Sequence, residues 1–72
     1  MLRVCVIGLG PIGNRHADIY VENPLSELVG VCDIDETRAN ATAQLLGVTA
    51  FYNVQKMLED RKPDVVSVAR SE

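Results

Sequence analysis

At 72 residues the chain makes one domain at most, and a chain this short buries only about 60% of the surface its unfolded form exposes, so its core is marginal. Its composition, 47% hydrophobic and 24% charged with no low-complexity tract, is that of an ordinary soluble globular protein. The net charge of −3 and the scattering of the seven basic residues leave no footprint for nucleic acid or an anionic membrane surface.

Cys5 and Cys32 are the two cysteines and His16 is the one histidine. Structural zinc takes four ligands, usually with cysteines in close pairs, and no such pair exists here, so no metal is expected. Spacing alone leaves a disulfide between them open, but each cysteine reads as a small buried hydrophobe on a strand, a usage that fits a reducing cytoplasm. The opening MLRVCVIGLG sets one arginine before an apolar run, as a secretion signal does. Glycines and Pro11 break that run, and no stretch reaches the roughly 18 apolar residues of a membrane helix. A cytoplasmic location is the expectation.

In chain order, Leu2 to Ile7 is a continuous apolar run apart from Arg3, the pattern of a strand buried on both faces of a parallel sheet. Pro11 suits the first turn of a helix, where its missing N–H costs nothing. Ile12, His16, Ile19 and Tyr20 recur at helical spacing up to Asn23-Pro24. Glu27 to Cys32 is a second strand, and Asp35 caps a second helix along whose face lie Ala39, Ala43 and Leu46. Gly47-Val48 ends that helix in the Schellman manner. Thr49 to Tyr52 is a short β-prone segment. Asn53 caps a third helix carrying Val54, Met57 and Leu58, closed by Lys62-Pro63. Lys56, Glu59, Asp60, Arg61 and Lys62 read as its solvated face. Val65 to Ala69 is a fourth, apolar strand. The order β-α-β-α-β-α-β with short connections predicts an α/β fold, half of a doubly wound parallel sheet with helices on its faces.

The first strand runs into G-L-G-P-I-G at residues 8–13, which matches G-x-G-x-x-G. The pattern alone is weak. Here it follows a strand, opens a helix and precedes Asp33, 20 residues after Gly13 at the end of the second strand. In this context Gly8 permits the tight turn, Gly10 lets the backbone approach a pyrophosphate, and Gly13 lets the helix pack on the sheet. The first-turn N–H groups and the positive end of the helix dipole then face the phosphates. Asp33 would accept hydrogen bonds from the adenosine ribose. No Gly-Lys-Ser/Thr follows, so the loop is not an ATP-binding P-loop. A plain structural turn, or another ligand of the same fold such as S-adenosylmethionine, is the rival reading.

Asp33 would repel a 2′-phosphate, which favours NAD over NADP, while Arg38 could accommodate that phosphate. Arg38 is otherwise an exposed first-turn helix residue pairing with nearby acids. His16, one turn into the first helix, reads as a packing or hydrogen-bonding residue rather than a catalytic one. Tyr20 and Tyr52 read as aromatics at the edge of the core.

RVCVIGLGPIGNRHA, ELVGVCDIDETRA, LGVTAFYNVQKML and KPDVVSVA together resemble the glucose–fructose oxidoreductase / inositol dehydrogenase (Gfo/Idh/MocA) family, over nearly the whole chain to Ala69. The resemblance implies a Rossmann domain of an NAD(P)-dependent oxidoreductase acting on sugars, inositols or related polyols. By the same resemblance Gly8, Gly10, Ile12, Gly13 and Asp33 are cofactor-binding positions, Leu9 and Pro11 add backbone contacts, and Arg38 lies beside the adenine end. The likeness lapses at Arg70-Ser71-Glu72, where the family continues into a Thr-Pro-Asn-like loop. The family's Glu-Lys-Pro segment, its downstream Asp and His positions and its substrate domain have no counterpart in these residues.

Residues 1–72 are therefore expected to be a partial dinucleotide-binding domain, cut short after its fourth strand, with no catalytic residue and no activity of its own. A stand-alone nucleotide-binding or regulatory module and a noncatalytic oligomerising fragment are the alternatives. The usual strand order would leave Val65–Ala69 as an open apolar edge, and such edges recruit partners, so a homo-oligomer is expected.

Overall fold

A computed structural model describes residues 1–69, with the backbone alone described at residues 11–14, 16 and 18. Four strands, β1 (Leu2–Ile7), β2 (Ser26–Cys32), β3 (Ala50–Phe51) and β4 (Val65–Val68), lie parallel in one sheet in the order β3-β2-β1-β4. Three helices, α1 (Pro11–Glu22), α2 (Glu36–Leu46) and α3 (Val54–Arg61), alternate with them. The arrangement is the α/β half-sheet expected from the alternation of apolar runs and helical periods.

The central strand is β1, and Val4, Cys5 and Val6 are all buried because both faces of the sheet are covered there. On one face Val6, Leu28 and Val31 pack against Ala17 of α1 and Ala39 and Ala43 of α2, with Tyr20 and Leu46 closing the layer. On the other, Cys5 and Cys32 pack against Met57 of α3, flanked by Ile7, Val29 and Phe51. The small residues Ala17, Ala39 and Ala43 let the two helices lie close to the strands. The β1–β2 register shifts between Val4 and Cys5, which pair with Leu28 and Gly30, so Val29 is an extra residue in β2.

The helix ends follow from local chemistry. Asp35 accepts hydrogen bonds from the N–H groups of Thr37 and Arg38, and Asn53 accepts one from Lys56. Gly47 is left-handed at φ +70°, and the Val48 N–H donates to the Ala43 carbonyl, as in a Schellman turn. The third helix ends on Lys62 with φ +45°, a non-glycine residue in the left-handed region.

Three expectations are corrected. Ile19 lies on the wet side of α1, 54% exposed, because Ala17 and Tyr20 supply the face that meets the sheet. Arg61 does not belong to a solvated face: its guanidinium lies 5.7 Å over the Phe51 ring and its Nη2 donates to Thr49 Oγ1 at 2.7 Å. Its carbonyl accepts from Arg3 Nη2 at 2.6 Å, which ties α3 to the start of β1. Val54 and Leu58 stay partly exposed, so Met57 alone anchors α3 in the core. Tyr20 is half-buried as expected, whereas Tyr52 is exposed and donates its hydroxyl proton to Asn40 Oδ1. The expected oddity at Arg70-Ser71-Glu72 lies outside the described residues.

Candidate functional site

Because all four strands are parallel, their carboxyl ends share one edge of the sheet. The chain leaves β1 toward β2 on one side, while β4 returns to pair on its other side, so the direction of winding reverses at β1. Open α/β sheets bind ligands in the crevice beyond the strand ends at such a switch point. Residues 8–10 stand at that point, immediately after β1.

Gly8 has φ +85°, a conformation that side-chain-bearing residues adopt rarely. A Cβ there would also collide with the Ala69 carbonyl oxygen just past β4. The glycine is therefore demanded twice, by the turn and by the neighbouring strand. The Gly8 N–H donates to the Cys32 carbonyl at 2.9 Å and the Ala69 N–H to the Ile7 carbonyl at 2.9 Å, which closes the tops of three strands around this residue. Gly10 differs. It is buried and precedes α1 at φ −70°, ψ −172°, a backbone that any residue adopts, so conformation does not account for a glycine there.

The first turn of α1 begins at Pro11, carries no acidic residue and is not capped by a side chain at Gly10. Its N–H groups keep their positive potential for an anion. Leu9 contributes by position: its side chain is buried in the core and its N–H donates to Asp33 Oδ2 at 2.9 Å. The side chains of Pro11 and Ile12, and the surroundings of Gly13 and His16, lie outside the described residues.

Asp33 follows β2 directly and is half-buried. Its Oδ1 accepts the Asp35 N–H at 2.9 Å while Oδ2 holds Leu9, so both oxygens are oriented by backbone donors. Each carboxylate oxygen has a second lone-pair site, and these suit a vicinal diol. The Asp33 N–H is itself bound to the Phe51 carbonyl at 3.2 Å, which fixes the residue to the end of β3. Arg38 sits in the first turn of α2 with its Nε 3.8 Å from Asp35 Oδ2. The structure thus brings Gly8, Leu9, Gly10 and Asp33 together at one sheet edge and sets Arg38 one helical turn away.

Two features of this edge escape a reading of the sequence. Ile34, between Asp33 and Asp35, is 92% exposed, a large apolar side chain offered to solvent beside a carboxylate. An apolar residue between two acids where a strand runs out was the available signal. The second is Ala69, whose backbone packs on Gly8, a contact between residues far apart in sequence that no local pattern reveals. Among the described residues no group of His, Cys, Asp and Glu could hold a metal ion, and no helix is long and apolar enough to cross a membrane. Cys5 and Cys32 are free and buried, and burial pushes both thiols up from their ordinary pKa.

Comparison with known proteins bears on the fold and the family. The chain is 42% identical over 69 residues to D-glucoside 3-dehydrogenase of Escherichia coli (strain K12), covering 93% of this chain and 20% of that protein. Among solved structures, GenD2 from gentamicin A biosynthesis, in complex with NAD, superposes with a TM-score of 0.90 at 30% identity, over 96% of this chain and 20% of its own. The myo-inositol dehydrogenase of Lactobacillus casei, in complex with NAD(H) and myo-inositol, gives 0.84 at 30% identity, over 96% and 21%. The chain thus spans about a fifth of the length of these relatives. Residues 2–72 match the profile described as an oxidoreductase family with an NAD-binding Rossmann fold, and the chain belongs to that family, Gfo/Idh/MocA.

Proposed function

We propose that this chain holds the adenosine and pyrophosphate end of NAD for an oxidoreductase that exchanges a hydride with a carbinol carbon of a sugar or polyol. The observation that carries it is Asp33, its two oxygens set by backbone donors at the same sheet edge as Gly10 and the uncapped start of α1. In this reading the diphosphate lies on the first turn of α1, with Gly10 giving it room, and Asp33 accepts from the ribose hydroxyls. The exposed Ile34 offers the adenine ring an apolar face. When bound, the nicotinamide supplies the hydride acceptor or donor. The sugar-dehydrogenase names of the relatives support the substrate class.

NAD is favoured over NADP because the Asp33 carboxylate repels a 2′-phosphate. No residue of this chain is assigned a catalytic role, and residues 1–72 alone are expected to show no turnover. Calorimetric titration of the native-length protein with NAD is the test, with Gly10→Val and Asp33→Ala as controls. No heat of binding at millimolar NAD, or equal binding in the two variants, would leave the reading without support.

The edge of β4 carries a second proposal. Among the described residues β4 pairs only with β1, and Val66 and Val68 lie on the α3 side of the sheet, Val68 being 63% exposed. We propose that this edge, Val65–Ala69, takes up a further strand, in the simplest case from a second copy. A monomer at micromolar concentration by size-exclusion chromatography with light scattering would count against the second copy.

A further inference from the structure

Asp35 caps α2 two residues beyond Asp33, and its carboxylate has two partners. Oδ1 accepts from the N–H groups of Thr37 at 3.0 Å and Arg38 at 3.3 Å, which caps α2. Oδ2 faces Arg38 Nε at 3.8 Å, with the two side chains 50% and 53% exposed. The cap bonds fix where this negative charge sits, next to Asp33, whose Oδ1 is held by the Asp35 N–H. Arg38 is the one cation in the stretch from residue 33 to residue 38, which also contains Asp33, Asp35 and Glu36.

We propose that Asp35 is a positioning residue that sets the choice between NAD and NADP, acting through Arg38. It engages the guanidinium that a 2′-phosphate would need, so that cation is held back from the phosphate. This rests on the dinucleotide reading above. An exposed ion pair is weak, so the restraint on Arg38 is lifted by removing one charge. Asparagine caps a helix as well as aspartate does, so Asp35→Asn removes the charge while the start of α2 holds.

The test is titration of the native-length protein and its variants with NAD and with NADP. In Asp35→Asn the affinity for NADP relative to NAD rises about five-fold, the factor that a freed guanidinium about 4 Å from one unit of opposite charge supplies in water. The gain vanishes in Asp35→Asn/Arg38→Ala and shrinks at high salt, responses that a merely structural role for Asp35 would not produce. Asp35→Ser, which also caps without charge, serves as the second variant. An NADP-to-NAD ratio that stays put in both single variants while NAD still binds overturns this proposal alone. Failure of the parent to bind NAD overturns the dinucleotide reading and this proposal with it.

Discussion

The Asp33 carboxylate accepts the Leu9 N–H at 2.9 Å, so the residue proposed to read the ribose also fixes the path of the glycine turn. One side chain thereby couples the end of β2 to the loop after β1, and the two halves of the proposed site are positioned together. Its second oxygen is held by the Asp35 N–H, so rotation of the carboxylate would break both bonds. Asp33→Ala removes both acceptors and leaves the Leu9 N–H without its partner, a cost of about 1–3 kcal/mol by the usual worth of charge-assisted bonds. The variant is expected to melt lower and to lose at least ten-fold in NAD affinity. Chemical denaturation and calorimetry on the same samples separate the two effects.

The glycines are expected to respond unequally. Gly8→Ala places a Cβ against the Ala69 carbonyl oxygen at φ +85°, and the result is misfolding or a loss of several kcal/mol. Gly47→Ala has a similar φ of +70° but nothing within 4 Å of the added carbon. Its cost is the left-handed backbone alone, about 1–2 kcal/mol. Gly10 has an ordinary backbone, so Gly10→Ala should bind NAD worse by a larger factor than its change in stability accounts for. A thermal shift series on the three variants, with and without NAD, checks the order.

Cys5 and Cys32 are expected to be unreactive in the folded protein. Burial disfavours the thiolate, which is the nucleophile, and raises both pKa values. A thiol reagent at pH 7 should label neither until denaturant is added. The raised pKa also sets a sign. The unfolded chain ionises first, so this contribution to stability is complete below the ordinary thiol pKa and declines as the pH rises above about 8.5. Denaturation midpoints measured from pH 7 to 10 should fall at the alkaline end, and Cys5→Ala/Cys32→Ala should flatten that fall.

Most of the fold is legible because its signals are local. The run from Leu2 to Ile7 is apolar because β1 is covered on both faces, and the caps at Asp35, Gly47 and Asn53 lie where short-range hydrogen bonding demands them. The misreadings are those that depend on which side of an element meets the sheet. Ile19 fits a helical period, yet Ala17 takes the core because a small residue lets α1 approach closely. Arg61 falls among charged residues, yet Phe51 offers it a ring and Thr49 an acceptor across the connection from β3. In the site, Gly8 and Asp33 stand out by spacing. Their contacts with Ala69 and Leu9 do not, since each joins residues that only the closed sheet brings together.

Lys62 offers a stabilising change. It ends α3 at φ +45°, ψ +60°, the one positive-φ non-glycine residue among those described, with its N–H donated to the Leu58 carbonyl at 3.0 Å. A lysine in this conformation brings its Cβ near the following carbonyl, at a cost of about 1–2 kcal/mol that glycine avoids. Glycine gives part of this back through the greater freedom of its unfolded chain, about 0.4–1 kcal/mol. Pro63 already restricts the segment that follows. The Lys62 side chain makes no role for itself in the proposed site, because the end of α3 connects to the amino end of β4, opposite the edge that carries Gly10 and Asp33. Lys62→Gly should therefore raise stability by about 0.5–1 kcal/mol, the difference of these two terms, and leave NAD affinity where it was. Urea denaturation of parent and variant measures the gain, and a loss of stability would mean that Lys62 is held in its left-handed conformation by contacts stronger than the strain.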